Sequence, residues 1–186
     1  MYGLVNKALQ DFVCRSHGRE AWERIRTAAG VNEPAFVSMK SYPDAVTYSL
    51  VGAASEELRV PAGALLEQFG EHWMVFTANE GYGDLIRTVG STFFEFIATL
   101  NGLHARLSSL FPMLRPPGLR LSDITATSAR LHYTSQRAGL APFVIGLLKG
   151  LGRHFDVQVT AVLDKAKADG HDHDEFLVTI APRTRA

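Results

Sequence analysis

Two groups of residues in this 186-residue chain are equipped to do chemistry. The first is a histidine set in an apolar helical stripe. Phe93, Ile97, Leu100, His104, Leu107 and Phe111 recur at alternating spacings of four and three, which places them on one helix face. A histidine there faces a core or a cavity. It serves either as a packed, hydrogen-bonded side chain or as a single axial ligand to a haem iron, since one imidazole is enough for a five-coordinate haem. Zinc would need further ligands close by, and the helix offers none. The second group is the stretch "RLHYTSQRAGL", residues 130–140. Read as a strand, it directs Tyr133, Ser135 and Arg137 to one side with Leu131, and His132, Thr134 and Gln136 to the other. Two hydroxyls and a guanidinium in a row suit a carboxylate or a phosphate. A solvated sheet face is the plainer reading. A phosphate site would ordinarily come with a Gly-rich loop, and none accompanies this row. The two propionates of a haem would fit it.

The elements that must carry these groups read as helices first and strands second. Leu4, Val5, Ala8, Leu9, Phe12 and Val13 recur with helical period, and a second helix runs from about Arg19 to Ala29, closed by Gly30. Pro43 stands near the start of a third helix. Pro61 suits the first position of a fourth, "PAGALLEQFGEHWMVFTA". Gly81 and Gly83 break the pattern before the His104 helix, and Pro112, Pro116 and Pro117 end that helix. Beyond Pro117 the period becomes two. "GLRLSDITATSARLHYTSQR" predicts two strands, "APFVIGLLKGLGRHF" a short apolar helix, and the remainder a second strand pair turning at Asp169-Gly170. The class is α+β, with an N-terminal helical subdomain over residues 1–60 and a second over 61–186 that holds the His104 helix and a small antiparallel sheet.

Composition narrows the function. Lys plus Arg and Asp plus Glu each number 19, so the formal net charge is zero. That argues against a basic nucleic-acid face and a polybasic membrane patch. The opening residues read as a folded helix rather than a signal peptide, no apolar run reaches the length of a membrane span, and a reducing cytoplasm is expected. Cys14 is the only cysteine, so no internal disulfide or cysteine-based metal site forms. It is read as a helix residue. "GHDHDE", residues 170–175, is read as a turn, with His171 and His173 in solvent rather than on a metal.

With these residues in view, the chain resembles the haem nitric oxide/oxygen binding (H-NOX) family, which includes bacterial stand-alone sensors and the haem domain of soluble guanylate cyclase. The resemblance rests on "MYGLVNKALQDFV", "YPDAVTYSLVGAASEEL", "LNGLHARLSSLFPMLRPPGLR", "YTSQR" as the family's Tyr-x-Ser-x-Arg, and "RAGLAPFVIGLLKGLG". It implies a haem b (iron protoporphyrin IX) between the two subdomains, with His104 as the iron ligand. It implies that Tyr133, Ser135 and Arg137 clamp the propionates. Pro117 would pack against the porphyrin, Val5 would press on the ring, and Met1 would lie near a propionate. Oxygen-binding members carry a tyrosine five residues beyond the motif arginine and a tryptophan on the first helix. Here those positions are Pro142 and Leu9, which donate no hydrogen bond. The resemblance therefore implies nitric oxide and carbon monoxide as ligands rather than oxygen. It also implies no enzymatic activity, and a separate partner such as a sensor histidine kinase or a cyclic-di-GMP enzyme. The cysteine-rich zinc site of some bacterial members is absent.

Overall fold

The computed structural model describes residues 1–77, 79 and 90–183. The break expected at Gly81 and Gly83 lies outside them. Four helices come first: α1 (Gly3–His17), α2 (Arg19–Ala28), α3 (Asp44–Leu58) and α4 (Ala62–Thr77). Gly18 ends α1 at φ 85°, a conformation that suits glycine, and Pro43 stands immediately before α3. The apolar faces of these helices make one core around Leu9, Val13, Trp22, Ile25, Leu50, Leu65 and Phe69.

The His104 helix, α5, spans Phe93–Leu110. A capping box sets its start. Thr92 accepts from the Glu95 amide, and the Glu95 carboxylate accepts from the Thr92 amide. The prolines that follow deliver the chain into β1 (Gly118–Ser122) and β2 (Ser128–Thr134). Then come α6 (Ala141–His154), β3 (Val157–Lys165), a 3₁₀ turn (Lys167–Asp169) and β4 (Asp174–Pro182). The four strands pair antiparallel in the order β1-β2-β4-β3. Alternation gives the sheet two unlike faces. Ala129, Leu131, Tyr133, Val159, Ala161, Phe176 and Val178 meet Phe93, Phe96 and Ile97 of α5 and Val144, Leu148 and Leu151 of α6 in a second core. The opposite face carries Arg130, His132 and Glu175. The α+β class expected from the period change is the one observed.

α4 and α6 join the two cores, and glycines set how close they come. A Cβ on Gly70 would lie 2.2 Å from the Phe143 carbonyl oxygen, and one on Gly146 would lie 1.8 Å from that of Glu67. Among the described residues no helix is long and apolar enough to cross a membrane.

Candidate functional site

His104 sits half-buried on α5, two turns beyond Ile97, where the stripe leaves the fully buried core. Its Nδ1 lies 3.2 Å from the carbonyl oxygen of Pro117. A carbonyl only accepts, so Nδ1 carries the proton and Nε2 is left with a lone pair. Burial pulls the imidazole below the ordinary histidine pKa, and the Pro117 carbonyl offsets only part of that pull. The neutral ring is the form that ligates iron, and a backing carbonyl of this kind fixes its tautomer and angle. One turn earlier, Asn101 holds α5 to the same segment. Its Oδ1 accepts from the Leu119 amide at 2.9 Å, and its Nδ2 donates to the Leu119 carbonyl.

The Tyr133, Ser135 and Arg137 row differs from the sequence reading. Only Tyr133 lies within a strand, because β2 ends at Thr134. Gly118 pairs with Thr134 and Asp174 with Tyr133, so no ladder partner remains for the residues beyond. The chain bends there, and the three side chains stay together by other means. The Ser135 side chain interacts with the buried Tyr133 phenol, and the Ser135 hydroxyl accepts from the Arg137 amide at 3.1 Å. Burial pushes the Tyr133 phenol up, so it remains a neutral donor.

Arg137 reaches across to the helical half. Its Nε donates to Asp44 Oδ2 at 2.9 Å and its Nη2 to Oδ1 at 3.4 Å, while Nη1 donates to the Arg115 carbonyl at 2.9 Å. Three of five guanidinium N–H groups are thereby used, and two are left for an anion. The Met1 ammonium completes the cluster by donating to Asp44 and to the Tyr42 carbonyl. Tyr48 adds a second tie from α3, its hydroxyl donating to the Ala138 carbonyl at 3.0 Å. The Arg115–Pro117 segment thus serves both groups, with one carbonyl accepting from Arg137 and another from His104.

The remaining predicted residues lie on α1 and α6. Leu9 is fully buried in the first core, and Val5 packs against that core half-exposed. Pro142 occupies the first turn of α6, which needs no amide from it. The next residue, Phe143, packs on Phe69 at 5.2 Å and Trp73 at 6.1 Å between ring centroids. Cys14 is a half-buried residue of α1, and burial raises its thiol pKa.

Asp44 is the participant that sequence reading passed over. It was legible only as the first residue of a helix after Pro43. Burial pushes its carboxyl up, but the Met1 ammonium and the Arg137 guanidinium outweigh that and hold it below the usual aspartate range. A carboxylate depressed in the folded state adds stability above its unfolded pKa, and that stability is lost as pH falls through the folded pKa. Asp44→Asn is therefore expected to cost about 1–3 kcal/mol at pH 7, toward the low end because the carboxylate is partly solvated. The difference from the unaltered protein should shrink as pH falls below the ordinary aspartate value of about 3.9 and vanish once the depressed folded-state carboxyl is protonated. Urea midpoints of both proteins across that range measure it.

Known proteins resemble this chain in sequence and in fold. A soluble guanylate cyclase of Caenorhabditis elegans, gcy-31, is 26% identical over 164 residues, which cover 88% of this chain and 23% of that protein. The rat guanylate cyclase soluble subunit beta-2 is 33% identical over 121 residues, 62% of this chain and 18% of that protein. The chain therefore spans about a quarter of the length of the first of these cyclases. Among solved structures, an H-NOX protein from S. oneidensis in the Fe(II)NO ligation state superposes with a TM-score of 0.86 at 21% identity, covering 97% of this chain and 99% of that one. The Fe(II) unliganded H-NOX protein from K. algicida gives 0.85 at 24% identity over 100% of both chains. The family model described as "Haem-NO-binding" matches residues 2–163, and the chain belongs to that family.

Proposed function

We propose that this protein is a haem-based gas sensor that binds nitric oxide and carbon monoxide and passes the signal to a separate effector protein. The observation that carries the reading is the His104–Pro117 pair, which presents a neutral imidazole with Nε2 free beside the half-buried Leu100 and Leu107. When bound, haem b would supply the ferrous iron at which these gases add. The residues present suit that group. His104 would hold the iron, and Pro117 would lie against the porphyrin. Tyr133, Ser135 and the two free N–H groups of Arg137 would take the propionates, with Met1 close by. Val5, Leu9 and Pro142 would form an apolar distal side that donates no hydrogen bond. Oxygen on ferrous iron carries partial negative charge and gains from a donor, whereas nitric oxide depends on one far less. The sequence holds no Gly-rich phosphate loop, and the chain is a receiver rather than an enzyme.

The chain's own contribution to signalling is mechanical. Polar contacts tie the C-terminal half of α5 to the chain entering and opening β1, by Asn101–Leu119 and His104–Pro117, and α3 is moored by Asp44–Arg137 and Tyr48–Ala138. A displacement of His104 would reach Arg137 through the Arg115–Pro117 segment and then α3 through Asp44. Such a linked set of polar contacts can hold two arrangements whose balance a ligand shifts.

The reading predicts a ferrous Soret band that moves when nitric oxide or carbon monoxide is added and does not move in air. A stable oxygen complex would overturn the gas assignment. A colourless protein that fails to take up added haemin would overturn the haem assignment.

A further inference from the structure

Glu175 is the only charged residue that is buried among the described residues, at 5% exposure. It lies on the polar face of the sheet, and two histidines converge on it. His132 stands opposite it in the β2–β4 register, and His173 comes from the turn entering β4. His132 Nδ1 lies 2.9 Å from His173 Nε2 and 3.5 Å from Glu175 Oε2. Among the described residues, this is the one group of three potential metal ligands whose donor atoms lie within 4.8 Å of each other.

We propose that His132, His173 and Glu175 bind one zinc ion, a site separate from the one built on His104. Bonds of about 2.0–2.2 Å in a tetrahedral site set ligand atoms about 3.3–3.5 Å apart. The 2.9 and 3.5 Å separations lie near that edge, and all three donor atoms fall within 4.8 Å of one another, so occupancy draws the existing cluster together. The orientation of the rings points the same way. The outer nitrogen of each is already held. Asp172 lies 2.6 Å from His173 Nδ1, a carboxylate–histidine pair of the kind that backs metal ligands, and the Ser122 hydroxyl lies 2.8 Å from His132 Nε2. Each inner nitrogen therefore faces the other and Glu175.

The carboxylate is held in place as well. Arg130 grips Glu175 Oε1 and is itself bound to Asp164 at 2.6 Å. A β-bulge between Leu163 and Lys165 swings Lys165 onto the same face, where its ammonium lies 3.2 Å from Oε2. A divalent cation displaces that ammonium, which sits on a half-exposed stem and can extend into water. Arg120, paired with His132 across β1–β2, opposes the cation, and Asp172 favours it. His132 and His173 line a shallow recess with Asn101, Gly118 and Thr134, from which a solvent ligand would complete the site. Two imidazoles and one carboxylate with an open position form a donor set that zinc accepts.

The test is equilibrium dialysis of the haem-loaded protein against zinc alone, from about 0.1 to 100 μM, a range that spans sub-micromolar to weak surface binding. Zinc and iron are then counted per chain by elemental analysis. One saturable zinc per chain is expected, with iron unchanged. His132→Ala and His173→Ala should each abolish it, and Asp172→Asn should weaken it by about 10–100-fold. His171→Ala should leave it intact, because His171 is exposed in the same tract and outside the cluster. His173 lies in the turn entering β4, outside the strands, so its variant informs even if His132→Ala fails to fold. No saturable zinc, binding that survives His173→Ala, or binding lost in His171→Ala would each overturn the site. Iron counts report the haem separately, so failure here leaves the sensor reading untouched.

Discussion

His104→Ala (H104A) is expected to strip the ferrous protein of haem, with the Soret band falling to background unless imidazole is supplied. The loss should be near-complete because a five-coordinate haem has one bond from the protein to its iron, and all other contacts are non-covalent. The proposed propionate contacts from Tyr133, Ser135 and Arg137 are individually modest, since hydrogen bonds to charged groups are worth about 1.5–3 kcal/mol each. Truncation to alanine leaves space the size of an imidazole ring, so free imidazole should restore the band. His72→Ala serves as the control, because that imidazole bonds Asp11 at 2.8 Å and belongs to the helical half. Iron per chain and the ferrous spectrum are the two readings. Full haem retention with an unchanged spectrum in H104A would remove His104 from the iron.

Gly146→Ala is expected to destabilise the protein by about 3 kcal/mol or more, the upper part of the range for overpacking. The added methyl would meet the Glu67 carbonyl oxygen at 1.8 Å and its Cα at 3.0 Å. Those are backbone atoms of α4, which cannot rotate away as a side-chain end could. Relief requires α6 to move off α4, which would also open the contacts of Phe143 with Phe69 and Trp73. Gly52→Ala makes the same chemical change with the opposite sign. Gly52 lies within α3, and an added methyl there would have nothing within 4 Å, so alanine should stabilise by about 0.5–1 kcal/mol through helix propensity. Urea unfolding at constant haem saturation distinguishes the two. Equal effects at both glycines would remove close α4–α6 packing as the cause.

Much of the fold could be read locally. Residues three and four apart share a helix face, and alternate residues share a strand face, whatever the rest of the chain does. That is why the α5 stripe, the proline exit, both strand pairs and the turn at Gly170 were legible. The single histidine in an apolar stripe was legible for the same reason, and so was the grouping of Tyr133 with Ser135 and Arg137. Their geometry was misread because a strand ends where its partners end, and neither β1 nor β4 continues past Thr134 and Tyr133.

Contacts between distant segments had no local signature. Asp44 and Arg137 are 93 residues apart, and either could have paired with many other groups. The carbonyls of Arg115 and Pro117 carry no sequence identity at all, yet they receive Arg137 and His104. The tract "GHDHDE" looked like a solvated turn because the third member of its cluster, His132, comes from another strand. Sheet order decides that meeting. With β2 beside β4, His132 faces Glu175, and a one-residue slip of that register would turn it to the opposite face. Periodicity thus determined the elements and the side chains each one offers. Only the packing of their faces decided which groups meet, because that choice depends on burial and pairing summed over the whole chain.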